Sequence, residues 1–157
     1  MDFEAYGLVL ALHSTLRWVA LAAGLLAAAA AWVGRLGSRS WTDTTLAAGR
    51  AFAVTLDLQL VLGLILYLAL SPTVASGLSN VSAAMSDAQH RFWMVEHPAA
   101  MVVALVLAHI GVARARRVRP SDEPGPSAWY FTLAILLVLA VLPWPFLDYG
   151  RPLMPSW

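Results

Sequence analysis

The residues best suited to chemistry in this sequence are two histidines, His13 and His97, which lie in separate apolar segments. Imidazoles on two facing helices can bind the iron of a b-type haem from opposite sides of its plane. Arg17 follows His13 by four residues, so both side chains share a helix face and Arg17 can neutralise a haem propionate. Gln59 or Glu96 would orient an imidazole by hydrogen bonding. Together these cofactor-binding candidates predict a haem b site.

Three other interpretations of these side chains remain open. His90 precedes His97 by seven residues on one side of a helix and is an alternative ligand, nearer the membrane surface. Histidines together with Glu96 are also suitable ligands for copper or zinc. Without any cofactor, the same polar side chains would form a structural network that fixes helix packing. The absence of cysteine excludes thiolate ligands and covalent haem attachment through a Cys-x-x-Cys-His motif.

Asp57 and His109 predict a second, smaller polar pair. Counting from Arg50 and Arg114 places them at similar depths in the second and third apolar segments. A hydrogen bond between them would lower the free-energy cost of burying both groups. His109 lies twelve residues after His97, about 120° around a helix, so one helix is not expected to stack two haems.

Four apolar segments must position these side chains, at about 8–33, 46–70, 92–113 and 128–147. The chain is 60% hydrophobic and 12% charged, with a mean hydropathy of +0.70, which is far from the usual soluble composition. Each segment is long enough to cross about 30 Å of hydrocarbon as a helix. The sequence therefore predicts one all-α domain over 1–157, an integral membrane four-helix up-down bundle in contact with the lipid bilayer.

Pro98 predicts irregular backbone beside His97. Proline has no N–H for the carbonyl of Met94, and its ring crowds that carbonyl in an α-helix. Irregular backbone at membrane depth normally lines a cavity or is buried in protein. We therefore expect the polar site near His97 to include a kink or the true start of a helix.

The arginines predict the orientation. Every basic residue is arginine, and most lie in the first and third connections between apolar segments: Arg35, Arg39, Arg50, Arg114, Arg116, Arg117 and Arg119. The second connection holds only Arg91. By the positive-inside rule the first and third connections are cytoplasmic, so both termini are outside. This pattern predicts a multi-pass protein of a bacterial inner membrane with periplasmic termini, and it gives no reason to expect nucleic-acid binding.

Four motifs resemble those of a known group of proteins. They are His-Ser-Thr-Leu-Arg-Trp at 13–18, Gln-Leu-Val-Leu-Gly-Leu-Ile-Leu-Tyr at 59–67, Arg-Phe-Trp with Glu-His-Pro at 91–98, and Pro-Trp-Pro-Phe at 143–146. As a set they are similar to small bacterial four-helix inner-membrane proteins labelled cytochrome b-like. Where this chain has Asp57, some members of that group are expected to have histidine.

The resemblance implies membrane electron transfer rather than an enzymatic activity. It implies a haem or related redox site at the outer half of the bundle, with His13, Arg17, Gln59, Glu96 and His97 as the shared polar residues. A quinone or a periplasmic electron carrier would be the redox partner. The other hypothesis is a non-catalytic or metal-binding membrane subunit that packs within a larger membrane complex, in which the polar cluster is structural.

Overall fold

The computed structural model describes residues 3–37, 42–117 and 126–153, and these ranges are helical without any strand. Arg39 and Arg119 of the predicted loops lie outside them. The long helices are α1 (Phe3–Leu36), α2 (Thr42–Ile65), α6 (His97–Ala115) and α7 (Ser127–Ala140). Between α2 and α6 lie a π-helix π1 (Leu66–Leu70), three short helices α3 (Pro72–Ser79), α4 (Val81–Ser86) and α5 (Ala88–Arg91), and a second π-helix π2 (Phe92–Glu96).

Three helical stretches are long and apolar enough to cross a membrane, as expected for a membrane protein. They are Glu4–Leu36, Asp43–Leu70 and Ala88–Ala115. The fourth apolar helix, α7, has only 14 residues and ends at Ala140, whereas the sequence predicted a helical segment to residue 147. Pro143 and Pro145 explain the early end, because each lacks an N–H for a helical hydrogen bond and disfavours helical geometry in the residue before it.

The four long helices pack as neighbours in a ring. Helix α1 contacts α2 and α7, and α6 contacts the same two helices. At one end, which we call the closed end, the centre is filled by Phe52 and Phe131, both inaccessible to solvent. Alanines on all four helices complete this core. Small side chains let the helix backbones approach closely, and the aromatic rings fill the remaining space.

Side-chain caps organise the segment between α2 and α6. Ser71, Asn80 and Asp87 each accept a hydrogen bond from a backbone N–H in the first turn of the helix that follows. These caps satisfy N–H groups that have no partner inside the helix. The segment is therefore three separate short helices, and it leads through π2 into α6.

Irregular backbone does precede Pro98, as the sequence predicted. The π-helical turn π2 ends at Glu96, and Pro98 lies in the first turn of α6. The carbonyl oxygen of Met94, which would bond to residue 98 in a regular α-helix, accepts a hydrogen bond from the Tyr67 hydroxyl at 3.0 Å. Wide π-turns often occur at functional sites, and this one lies directly beside His97.

Candidate functional site

A cavity of about 610 Å³ lies at the opposite end of the helix ring from Phe131, and we call this the cavity end. Its walls come from α1, α2, π1, α3, π2, α6, the last turn of α7 and the segment that follows it. The cavity is mostly apolar, and its polar or aromatic lining includes Tyr6, His13, Arg17, Gln59, Tyr67, Trp93, His97 and Arg151. A few convergent polar groups in an apolar cavity of this size are typical of a ligand or cofactor site.

His97 is held in one orientation by the end of α7. Its Nδ1 lies 3.0 Å from the carbonyl oxygen of Val141. That carbonyl is accessible because the residue four positions later is Pro145, which has no N–H to donate. Since a carbonyl only accepts, Nδ1 carries the proton and Nε2 keeps its lone pair. The same carbonyl thus fixes both the position and the tautomer of the ring.

His13 lies across the cavity from His97. The two ring centroids are 6.5 Å apart, and the ring planes are inclined by 70°. Among the described residues, no group hydrogen-bonds to the buried Nδ1 of His13 or to the buried Oε1 of Gln59. The amide nitrogen of Gln59 donates to the backbone carbonyl of His13 at 3.1 Å, which ties α2 to α1. Two buried polar atoms at one place are a departure from normal satisfaction of hydrogen bonds.

Two arginines make the cavity electropositive. Arg17 is only 8% exposed and donates to the carbonyl oxygen of Leu153 at 2.8 Å. Nη2 of Arg151 donates to the Tyr6 hydroxyl at 3.2 Å, and Cζ of Arg151 lies 4.4 Å from the ring centre of Trp93. None of the described residues that line the cavity is Asp or Glu. Two guanidinium groups that have no carboxylate partner among the described residues favour a ligand that carries negative charge.

Glu96 does not join this group, although the sequence placed it there. Its carboxylate is exposed and accepts a hydrogen bond from Nε of Arg91 at 2.8 Å. Adjacent residues of a helix point about 100° apart, so when His97 faces the cavity, Glu96 faces outward. The structure therefore brings together His13, Arg17, Gln59 and His97 and leaves Glu96 outside.

His90 also lies outside the cavity. Its Nδ1 is 2.7 Å from a carboxylate oxygen of Asp87, and its Nε2 is 3.1 Å from the hydroxyl oxygen of Ser76. The Ser76 hydroxyl also donates to the carbonyl of Thr73 at 3.0 Å. This chain of hydrogen bonds fastens α5 to α3. Both imidazole nitrogens are occupied, so His90 is not positioned as the alternative ligand that the sequence allowed.

The predicted inner pair is present as a contact. Nε2 of His109 lies 3.0 Å from a carboxylate oxygen of Asp57, and both side chains are about half exposed. Neither lines the cavity. The bond joins α2 to α6 on the outer surface of the helix ring and not in its interior.

Sequence reasoning missed Arg151 and the carbonyl of Val141. Arg151 comes from the part of the chain after α7, where a sequence without regular periodicity gives no position. The signal for Val141 was Pro145, since a proline frees the carbonyl four residues earlier. Reading both prolines of the Pro-Trp-Pro motif as carbonyl-freeing residues would have found a hydrogen-bond acceptor for an imidazole.

The donor set suits haem better than a metal ion bound by protein alone. No cluster of three or more His, Cys, Asp or Glu side chains within the described ranges could hold a metal ion. Zinc and copper sites normally use three or four such ligands. Haem iron needs only two axial ligands from the protein, because the porphyrin supplies the other four.

Comparisons with protein-family models, curated proteins and solved structures gave no significant match.

Proposed function

We propose that this chain is a membrane-bound, b-type cytochrome-like electron-transfer protein that binds one haem b at the cavity end, between His13 and His97. The observation that carries the proposal is the separation of 6.5 Å between the two ring centroids. Two imidazoles on opposite faces of one iron, each nitrogen about 2 Å from the metal, have centroids roughly 6 Å apart. The haem would supply reversible one-electron transfer.

The other polar groups have roles that follow from their positions. The Val141 carbonyl accepts the Nδ1 proton of His97 and so raises the basicity of Nε2 as a ligand. Arg17 and Arg151 are two cations in a cavity whose lining, over the described part of the chain, holds no carboxylate, which suits the two propionates of a haem. Gln59 holds the backbone of His13 and fixes the height of that ring on α1.

The finer topology is also part of this proposal. Helix α7 has 14 residues and is about 21 Å long, so it would cross the bilayer together with the turn segment that follows it. The arginines of the first and third connections then face the cytoplasm of a bacterium, and both termini and the cavity end face the periplasm. Electrons would pass between the haem and a quinone or a periplasmic carrier near that surface.

The visible spectrum of the detergent-purified protein after dithionite reduction tests the proposal. We expect a Soret band with sharp α and β bands, and the loss of all three bands in His97→Ala. His109→Ala is the matched control, since His109 lies on the same helix outside the cavity and should leave the spectrum unchanged. A folded wild-type protein that binds no haem, even when haem is added, contradicts the proposal.

The structural-network hypothesis has its own supporting observation. Arg17 and Trp18 both donate to the carbonyl oxygen of Leu153, which fixes the end of the described chain against α1. If the wild-type protein is colourless and Arg17→Ala lowers its thermal stability, the polar cluster is a packing device of a membrane subunit. Elemental analysis of the same sample distinguishes a bound copper or zinc ion from both outcomes.

A further inference from the structure

The polar pair of Asp57 and His109 lies on an outward face of the molecule that is otherwise apolar. The side chains are 47% and 53% exposed, respectively, and each sits within a helix long enough to cross a membrane. On α2 the pair continues an exposed stripe formed by Val54, Val61 and Leu64, and on α6 one formed by Val102, Val106 and Ala113. These residues recur at spacings of three and four, so each stripe is one face of its helix.

The contact between the two side chains leaves half of their hydrogen-bonding capacity unused. Nε2 of His109 and one oxygen of Asp57 bond to each other at 3.0 Å. Within the described ranges, the second carboxylate oxygen of Asp57 and Nδ1 of His109 have no protein partner. Ionisable groups in a membrane-spanning helix almost always face protein or a water-filled cavity, because hydrocarbon offers them no partner. A face that carries such a pair is therefore expected to be covered by protein.

We propose that the covering partner is a second copy of this chain, packed α2 against α6 around a two-fold axis along the membrane normal. Asp57 and His109 lie at one depth because they bond to each other. A two-fold axis keeps depth and exchanges left with right, so the Asp57 of one copy faces the His109 of the other. With each pair as an imidazolium and a carboxylate, Nε2 of His109 donates to Asp57 of the same copy and Nδ1 donates to the free carboxylate oxygen of the other copy, so all four side chains are satisfied.

The geometry favours a second copy over an unrelated helix. With His109 protonated on both ring nitrogens, the face presents one unused acceptor, the second oxygen of Asp57, beside one unused donor, Nδ1 of His109, which is a self-complementary pattern. The flanking valines are branched, have few rotamers to lose and offer a regular surface for packing in lipid. Asp57 and His109 lie outside the cavity, whereas Leu64 and Val102 of the same stripes also line it, so the interface adjoins the cavity wall.

Disulfide crosslinking in native membranes tests the interface. Because the chain has no native cysteine, any disulfide between two copies must involve the introduced residues. Counting outward from the polar pair, Val61 on α2 matches Val106 on α6 in depth. We expect a covalent dimer when Val61→Cys and Val106→Cys chains, carrying different tags, are co-expressed and oxidised. Leu26→Cys with Leu136→Cys is the matched control, since both are similarly exposed on α1 and α7, and this pair should not crosslink.

Substitution of the polar pair decides whether it drives the association. Asp57→Leu in both chains should lower the yield of the Val61–Val106 dimer by about tenfold, because both bonds across the axis are lost. Asp57→Asn keeps a side-chain oxygen and should retain most of the crosslink. The proposal is overturned if the Val61→Cys and Val106→Cys chains stay monomeric after oxidation, if the control pair crosslinks equally, or if the crosslink forms to a different protein. It is also overturned if Asp57→Leu leaves the yield of the crosslinked dimer unchanged.

Discussion

Glycine serves opposite purposes at the two ends of the helix ring. At the closed end, Gly49 on α2 and Gly111 on α6 both lie against the ring of Phe131, where a Cβ atom would collide with it. At the cavity end, a Cβ on Gly63 would meet only the His13 ring, at an ordinary contact distance of 3.5 Å. The glycines of the closed end thus make room for a side chain of this protein. Gly63 borders space that no side chain of the described residues fills.

The difference separates a part of the molecule built for stability from a part built for binding. Protein interiors are close-packed, and voids larger than a water molecule are few. A cavity of about 610 Å³ runs against that rule, and so do the buried atoms His13 Nδ1, Arg17 Nε and Gln59 Oε1, which have no hydrogen-bond partner within the described ranges. The closed end has aromatic rings at the corresponding place. Sites that break packing and hydrogen-bonding rules together are expected to be functional.

Phe131→Ala should produce the largest loss of stability and act on the closed end alone. The ring is fully buried and contacts glycines on two helices, so its removal opens a void that the backbones cannot close. We expect a loss of about 3 kcal/mol in the free energy of unfolding, measured by thermal denaturation in detergent.

Phe146→Ala is the control for that substitution, because its ring is 79% exposed. It should change the unfolding temperature little. An equal loss for both variants would mean that Phe131 is not the centre of a packed core, and the contrast between the two ends would fail.

Matched glycine substitutions sharpen the comparison further. Gly111→Ala places a Cβ 2.7 Å from the Phe131 ring. We expect the free energy of unfolding to fall by about 1 to 2 kcal/mol, because the cost of overpacking exceeds the gain from alanine's better helix propensity. Gly63→Ala should be neutral or stabilising by up to about 1 kcal/mol, since only the propensity term applies. Thermal unfolding of the two variants side by side checks the sign difference. Equal destabilisation would show that Gly63 also lies against packed protein.

The sequence predicted the parts of this molecule that depend on periodicity and counting. Apolar length predicted the long helices, and residue counting placed Asp57 level with His109, which the structure shows in contact. Counting failed by about 8 Å for His13 and His97, which the structure brings together. Residue counting treats every helix as untilted, whereas helix tilt is set by packing against neighbouring helices and by interfacial side chains.

Elements that depend on single backbone groups were harder to predict. Depth along the helix and the resemblance both predict Glu96 in the site, but depth does not specify direction, and neighbouring helical residues diverge by about 100°. The apolar run continues past Pro143 and so predicts a longer α7 than the structure has. That longer helix hides the free Val141 carbonyl, which accepts the hydrogen bond from His97. Arg151 reaches the cavity through a chain of turns after α7, and turn geometry of that kind leaves no periodic signal.

Lowering the pH should weaken the Asp87 cap of α5 and leave the closed end unchanged, and we expect this effect on stability to be the smallest of those described. Asp87 caps α5, and the hydrogen bond from the backbone N–H of His90 holds the pKa of this carboxyl below its ordinary value of 3.8. The native state therefore binds fewer protons than the unfolded state, and the capping contribution is complete above that ordinary value. It is lost as the pH falls through the lower pKa of the native carboxyl. The protection factor of the His90 amide, which corrects for the pH dependence of intrinsic exchange, should fall over that range, while amides around Phe131 stay protected. Asp87→Asn, which keeps the acceptor without a titrating group, should remove the pH dependence, and a dependence that survives in this variant would assign it to another group.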